Sequence, residues 1–185
     1  MNKYLLTALL SFALLPLSVN AQNVYTPYVG VEGLYGTAKA GQIKPHYFGA
    51  AINVGTMYNP YFSTELFYEQ TGSDSKKISD TKKLKTAYRA YGLDATGYLP
   101  LGCDKRFSLF ASLGMGEYVI RKKLSPDKHH NNNGYAYRIG LGAQYALTEH
   151  FSLKLTTRYI KFHRISGLNH GYNYGIGLRY HFTKD

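Results

Sequence analysis

The chain has no tryptophan and one cysteine, and beyond its first twenty residues it has no apolar run long enough to cross a bilayer as a helix. A lone cysteine excludes an internal disulfide, so covalent stapling does not hold the fold. Cys103 falls in an expected turn beside Asp104 and Lys105, where neither metal ligands nor a base accompany it. Acidic residues are scarce, 11 Asp and Glu against 22 Lys and Arg, for a net charge of +11. That excess suits a polyanion such as nucleic acid, or an anionic lipid surface if the basic residues cluster. The lack of an apolar helix excludes helical spans only. Barrel strands alternate in polarity and each gives a weak hydropathy signal.

The N-terminus favours a lipid surface over nucleic acid. Lys3, the apolar stretch Leu5 to Leu17 and the small residues of Val19-Asn20-Ala21 have the order of an export signal. The core is too short for a spanning helix, for which about 20 apolar residues are needed. No cysteine directly follows it to carry a lipid anchor. Residues 1–21 are therefore expected to be a signal peptide, and Gln22 to Asp185 one mature domain.

Tyrosine and glycine are abundant, 19 of each. Their arrangement is clearest from Gly171 to Phe182, where Tyr172, Tyr174, Ile176, Leu178, Tyr180 and Phe182 alternate with Asn173, Gly175, Gly177, Arg179 and His181. A two-residue period places these sets on opposite faces of a strand. The same pattern predicts strands at Tyr25–Gly36, His46–Tyr58, Tyr61–Gln70, Leu84–Leu99, Phe107–Ile120, Tyr135–Leu147 and Phe151–Phe162. Phe-Ser steps at Phe62, Phe107 and Phe151 each follow a turn, with a period of about 45 residues. Each interval holds two long strands, too few for a propeller blade. Connections at Asn59-Pro60, Pro100 to Arg106 and Thr148 to His150 are short. Those at 37–45, 71–83, 121–134 and 163–170 are mostly longer and more polar. Alternating short and long connections between an even number of strands predict an all-β fold, an eight-stranded antiparallel up-and-down transmembrane barrel. A soluble lipocalin-like barrel would instead turn its apolar face inward around a ligand.

Parity assigns the faces. Tyr137, Ile139 and Leu141 point outward with Arg138 inward; Leu153 and Leu155 outward with Lys154 and Arg158 inward; Leu66 and Tyr68 outward with Glu65 and Glu69 inward. A lipid-facing Arg or Lys at the midplane costs about 2–4 kcal/mol, which fixes the choice. Glu117 shares parity with Leu113 and Met115, so it either lies above the lipid or follows a bulge. Arg89 opposes the face of Asp94 and belongs near the external interface. The inward charges balance: Glu32, Glu65, Glu69 and Asp94 against Arg138, Lys154, Arg158 and Arg179. Buried charges require partners, so these eight are expected to form a lumenal ion network. Counting from strand ends predicts a lower layer of Glu65, Asp94, Lys154 and Arg179, with Arg179 paired to Glu65 and Asp94, and an upper layer of Glu32, Glu69, Arg138 and Arg158. A hydrated lumen with loosely screened charges is the alternative.

The signal, the strands, the Phe-Ser turns and the closing Gly175-Ile176-Gly177-Leu178-Arg179-Tyr180-His181-Phe182 resemble the OmpA-like superfamily of small outer-membrane barrels, over essentially all of residues 22–185 and without the peptidoglycan-binding domain. The resemblance implies a bacterial outer-membrane address, reached by way of the barrel assembly machinery. That machinery reads a final strand ending in an aromatic, here Tyr180 and Phe182, although Thr183-Lys184-Asp185 extends past it. The expected role is non-enzymatic, structural or surface-contacting, with lipopolysaccharide and outer-membrane lipid as surroundings. Basic external loops carry Lys76, Lys77, Lys82, Lys83 and Lys85, and Lys122, Lys123 and Lys128, and suit an anionic surface ligand. A small, low-conductance porin is the alternative. Some lipid A deacylases of similar size carry a His-x-Ser pair; His163-Arg164-Ile165-Ser166 is one residue too wide for it. No catalytic, metal or cofactor residues are expected, no nucleic-acid partner, and a monomer.

Overall fold

The computed structural model of the protein describes residues 25–39, 46–72, 74–79, 82–102, 104–124, 128–163 and 169–182. Residues 1–21, Cys103, Ser166 and Thr183-Lys184-Asp185 lie outside them. Nine strands occur among the described residues: β1 (Thr26–Lys39), β2 (His46–Asn59), β3 (Phe62–Thr71), β4 (Asp74–Ser79), β5 (Lys82–Leu101), β6 (Phe107–Leu124), β7 (Lys128–Ala146), β8 (Phe151–His163) and β9 (His170–His181). Eight of them close a barrel in the order β1-β2-β3-β5-β6-β7-β8-β9, with β9 returning to β1 through Tyr28↔His181 to Lys39↔His170. Every neighbouring pair is antiparallel. Closure leaves no strand edge to lipid, where unpaired backbone groups would cost several kcal/mol each.

The expected strands are present, and three of them extend well beyond what periodicity suggested. β5 starts at Lys82, β6 continues to Leu124 and β7 begins at Lys128, so much of the expected loops 71–83 and 121–134 is strand. β4 is an additional strand that pairs with β5 beyond the end of β3. Alternation weakens once both faces meet water, but the backbone still needs partners, and a continuing hairpin provides them.

The outer surface has three zones. At the short-turn end Tyr61, Phe62, Phe107, Tyr145, Phe151 and Phe182 are exposed. At the opposite end Tyr35, Phe48, Tyr68, Tyr135, Tyr137, Tyr172 and Tyr174 are exposed. Between them lies an aliphatic band that includes Val31, Ile52, Val54, Leu113, Ile139, Leu141, Leu155 and Ile176. Two aromatic girdles around an apolar band are the lipid-facing pattern of outer-membrane barrels. Tyr180 and Phe182 belong to the short-turn girdle: their rings meet edge to face at 4.9 Å, and Tyr180 also meets Phe151 at 5.1 Å. The Phe182 amide donates to the carbonyl of Pro27 at 2.9 Å, so the chain remains paired to the last aromatic.

This zoning predicts depth-dependent costs. Leu141→Arg in the aliphatic band should destabilise by about 2–4 kcal/mol, and Tyr145→Arg at the girdle by about 0–1 kcal/mol. Equilibrium denaturant unfolding from lipid vesicles measures both.

Candidate functional site in the lumen

Inside the barrel, two rows of facing positions set a glycine between an acid and a base. Glu32 on β1 lies opposite Gly177 on β9, which lies opposite Lys154 on β8. Asp94 on β5 lies opposite Gly114 on β6, which lies opposite Arg138 on β7. In each row the glycine leaves the space through which acid and base meet. A Cβ on Gly114 would sit 1.8 Å from Asp94 Oδ1, and one on Gly177 would sit 2.4 Å from Glu32 Cγ. An eight-stranded interior is just wide enough for side chains, and this alternation lets the charged ones fit.

The eight charged residues are all buried and form one continuous chain of ion pairs. Arg179 pairs with Glu65, and Lys154 lies 3.1 Å from Glu65 and 3.2 Å from Glu32. Arg158 lies 2.6 Å from Glu32 and 3.9 Å from Glu69. Arg138 meets Glu69 at 2.5 Å and closes on Asp94 with a two-pronged contact, Nε to Oδ1 at 2.6 Å and Nη2 to Oδ2. Neutral donors fill in: Asn53 Nδ2 donates to Glu32 at 2.9 Å and the Tyr28 hydroxyl to Glu65 at 3.0 Å. Arg179 also donates to the Tyr98 hydroxyl at 2.7 Å and to Gln144 at 3.1 Å.

The layering differs from the expectation. Asp94 pairs with Arg138, not with Arg179, although it lies opposite Glu65 in the ladder. Strands in a closed barrel are tilted, so rows of facing residues climb around the wall. Counting from strand ends ignores that climb and so misplaces Asp94. Glu65 pairs with Arg179 and Lys154, and Glu32 and Glu69 with Arg158 and Arg138, within the expected layers.

Aromatic side chains cap the chain at both ends, which a small-or-charged inner face did not anticipate. Tyr47, Tyr88, Tyr118 and Phe162 are buried at the external end, with Tyr47 meeting Tyr88 at 5.1 Å and Tyr118 meeting Phe162 at 5.3 Å. Asn173 ties this layer together, accepting from the Tyr47 hydroxyl and donating to that of Tyr88 at 3.0 Å. Tyr28, Tyr98, Phe110 and His181 fill the other end, with Tyr98 and Phe110 at 5.8 Å and Tyr28 and His181 at 5.5 Å. The cations also rest on rings: Arg138 lies 3.3 Å from the Phe67 centroid and Arg179 lies 4.4 Å from that of Tyr28. The parity set by Glu65 and Arg138 already placed these rings inward; extending it along β2, β5 and β6 was the available signal.

Ser152 Oγ and His181 Nε2 are 2.9 Å apart at the short-turn end. Ser152 is 1% exposed, and no carboxylate bonds to the imidazole among the described residues. The pair lacks the oriented base and open approach that a nucleophile needs. Among the described residues no group of His, Cys, Asp and Glu is arranged to hold a metal ion.

The expected basic positions gather on one side of the barrel. Lys76 and Lys77 are on β4, Lys82, Lys83 and Lys85 on β5, Lys122 and Lys123 on β6, and Lys128 on β7. These segments pair successively beyond the membrane end of β3.

A closed antiparallel barrel with an apolar, aromatic-girdled exterior and a packed polar interior defines a transmembrane β-barrel of the outer-membrane class. The chain belongs to the outer membrane protein beta-barrel domain family, whose pattern it matches over residues 5–182. No curated protein matches it. Neisserial surface protein A is similar in structure, with a TM-score of 0.69 at 13% identity, covering 83% of this chain and 96% of that one. Ail, the attachment invasion locus protein of Yersinia pestis, solved with the heparin analogue sucrose octasulfate, gives 0.62 at 13% identity over 85% and 99% of the two chains. The N-terminal β-barrel domain of Pseudomonas aeruginosa OprF gives 0.55 at 17% identity over 84% and 97%.

The ion chain should be costly to break and cheaper to remove in pairs. Arg138→Met leaves Asp94 unpaired and Glu69 with only the 3.9 Å contact to Arg158, and should cost about 3–5 kcal/mol. Adding Asp94→Asn should recover part of that loss, with a coupling of about 0.5–3 kcal/mol. Denaturant unfolding of the two single variants and the double variant completes the cycle.

Proposed function

We propose that the protein is a non-enzymatic surface-contact barrel of the outer membrane, with a filled lumen as rigid support and the basic extension of β4–β7 as its working surface. The observation that carries this reading is the register. Lys77 lies opposite Lys83, and Lys85 lies opposite Lys123, which lies opposite His129. Like charges directly opposite one another destabilise a sheet, so this arrangement favours an anion between them. The partner class is a phosphorylated or sulfated surface, such as lipopolysaccharide phosphates or an anionic host glycan. The Ail complex supports it by example, since a barrel of the same fold was solved with a heparin analogue.

Tyr180 and Phe182 serve as the recognition signal for the barrel assembly machinery, and the functional unit is a monomer. Against a porin role stand the balanced charges and the aromatic layers above and below them. In planar bilayers the refolded protein should give no steady, large conductance step; such a step would favour the porin reading.

Binding tests the main proposal. Refolded protein should bind vesicles containing lipopolysaccharide or beads carrying a sulfated glycan, and comparing them identifies the partner. Changing Lys77, Lys83, Lys85 and Lys123 together to Gln should remove most of the binding. Raising salt from 0.1 M to 1 M should do the same, because the screening length falls from about 10 Å to about 3 Å. Salt-insensitive binding by both proteins would overturn the electrostatic account.

A further inference from the structure

Glu117 faces lipid without a break in the ladder. The β5–β6 register runs unshifted through Tyr91↔Glu117, Gly92↔Gly116 and Leu93↔Met115, so no bulge turns it outward. Its row reads Tyr68, Tyr91, Glu117, Tyr135, His163 around the external girdle, one acid among aromatics. The Tyr91 hydroxyl donates to Glu117 Oε2, and among the described residues no cation lies within ion-pair distance of it. Below Glu117 the outer wall recedes into a furrow of about 810 Å³, with Gly114 and Gly116 in its floor and Leu113, Met115 and Tyr137 along its sides. Those three side chains are more than half exposed. From Glu117 to Leu113 the furrow descends four residues, roughly 13 Å along the strand. That length is close to half of the roughly 30 Å hydrocarbon layer.

We propose that this furrow holds one acyl chain of a lipid whose headgroup bears an ammonium beside its phosphate, with Glu117 as the counter-ion of the ammonium. The choice of headgroup rests on charge complementarity. A carboxylate at the mouth of an apolar slot attracts a cation, and Tyr91 and Tyr135 on either side of it in the ladder supply aromatic rings, a side-chain type suited to an ammonium. Arg89, exposed one step above Tyr91 on the same face of β5, is placed for the phosphate of the same headgroup. The site is independent of the basic extension and of whatever that surface binds.

Native mass spectrometry of the refolded barrel, released from micelles with equal amounts of phosphatidylethanolamine and phosphatidylglycerol, tests the proposal. One bound lipid is expected, with phosphatidylethanolamine favoured by up to about fivefold, as one partly exposed ion pair allows. Glu117→Gln should reduce that preference to near parity while leaving heat-modifiable gel migration unchanged. Ala95→Leu, which narrows the furrow from its lipid side, should lower total adduct for both lipids several-fold. Equal adducts in the parent protein, a preference that survives Glu117→Gln, or a preference for phosphatidylglycerol would each overturn the proposal. So would a dimer dissolved by Ala95→Leu, since a second copy would then be the occupant.

Discussion

A sheet in lipid cannot leave an edge, and closure of β1 onto β9 is the constraint from which the rest of this structure descends. Closing eight strands sets a narrow interior that side chains can fill, with no room for a wide channel. What fills it must therefore come from the walls. The outer faces are committed to apolar residues, so polarity is available only inside, and polar groups removed from water must find partners there. The chain of pairs from Arg179 to Asp94 is the result, and its glycines are as necessary as its charges. A side chain at Gly114 or Gly177 would occupy the space in which acid meets base.

Such a network need not be a large net source of stability. The desolvation of buried ions offsets much of their attraction, and apolar replacements of similar volume are often neutral or better. Its stronger effect here is on register. A one-residue slip of any strand would send its charges into lipid and its leucines into the lumen. Each misplaced Arg or Lys then costs about 2–4 kcal/mol in addition to the partner it abandons. Residues far apart in the chain, such as Glu32 on β1 and Arg158 on β8, are paired over the seam where β9 meets β1. The ion chain and the closure therefore specify each other.

The period-2 pattern made the architecture and the lipid face legible, because a membrane strand is amphipathic along its whole span. The charged inward residues were visible for the same reason, as was their balance. Arg179 meets Glu65 as expected, but the partner of Asp94 was not legible. Pairing depends on strand tilt and shear, which no single strand carries, so strand-end counting gives Asp94 to Arg179 where Gly114 opens it to Arg138. The lumenal aromatics were obscured by a different cause. Tyrosine marks membrane girdles when outward and plugs the lumen when inward, and composition alone does not separate Tyr137 from Tyr118. The strand extensions past the membrane were hidden because alternation fades where both faces are wet, so Lys82 and Lys123 looked like loop.

A filled barrel has consequences for where its activity resides. With the lumen occupied from the Tyr28 layer to the Tyr47 layer, chemistry is pushed to surfaces the strands present outward or above. One is the basic β4–β7 extension, held by pairing to the rigid wall below and so less costly to order on binding than a free loop. The other is the external girdle, where Glu117 replaces an aromatic. The two differ in sign and solvent, one basic and aqueous, the other acidic and at the lipid boundary. Neither disturbs the lumen: the extension lies beyond the end of β3, and parity places Glu117 on the outer face of β6. β5 and β6 thus carry a structural inner face and a contacting outer one, and the sign of a charge on either side is set by what that side must meet.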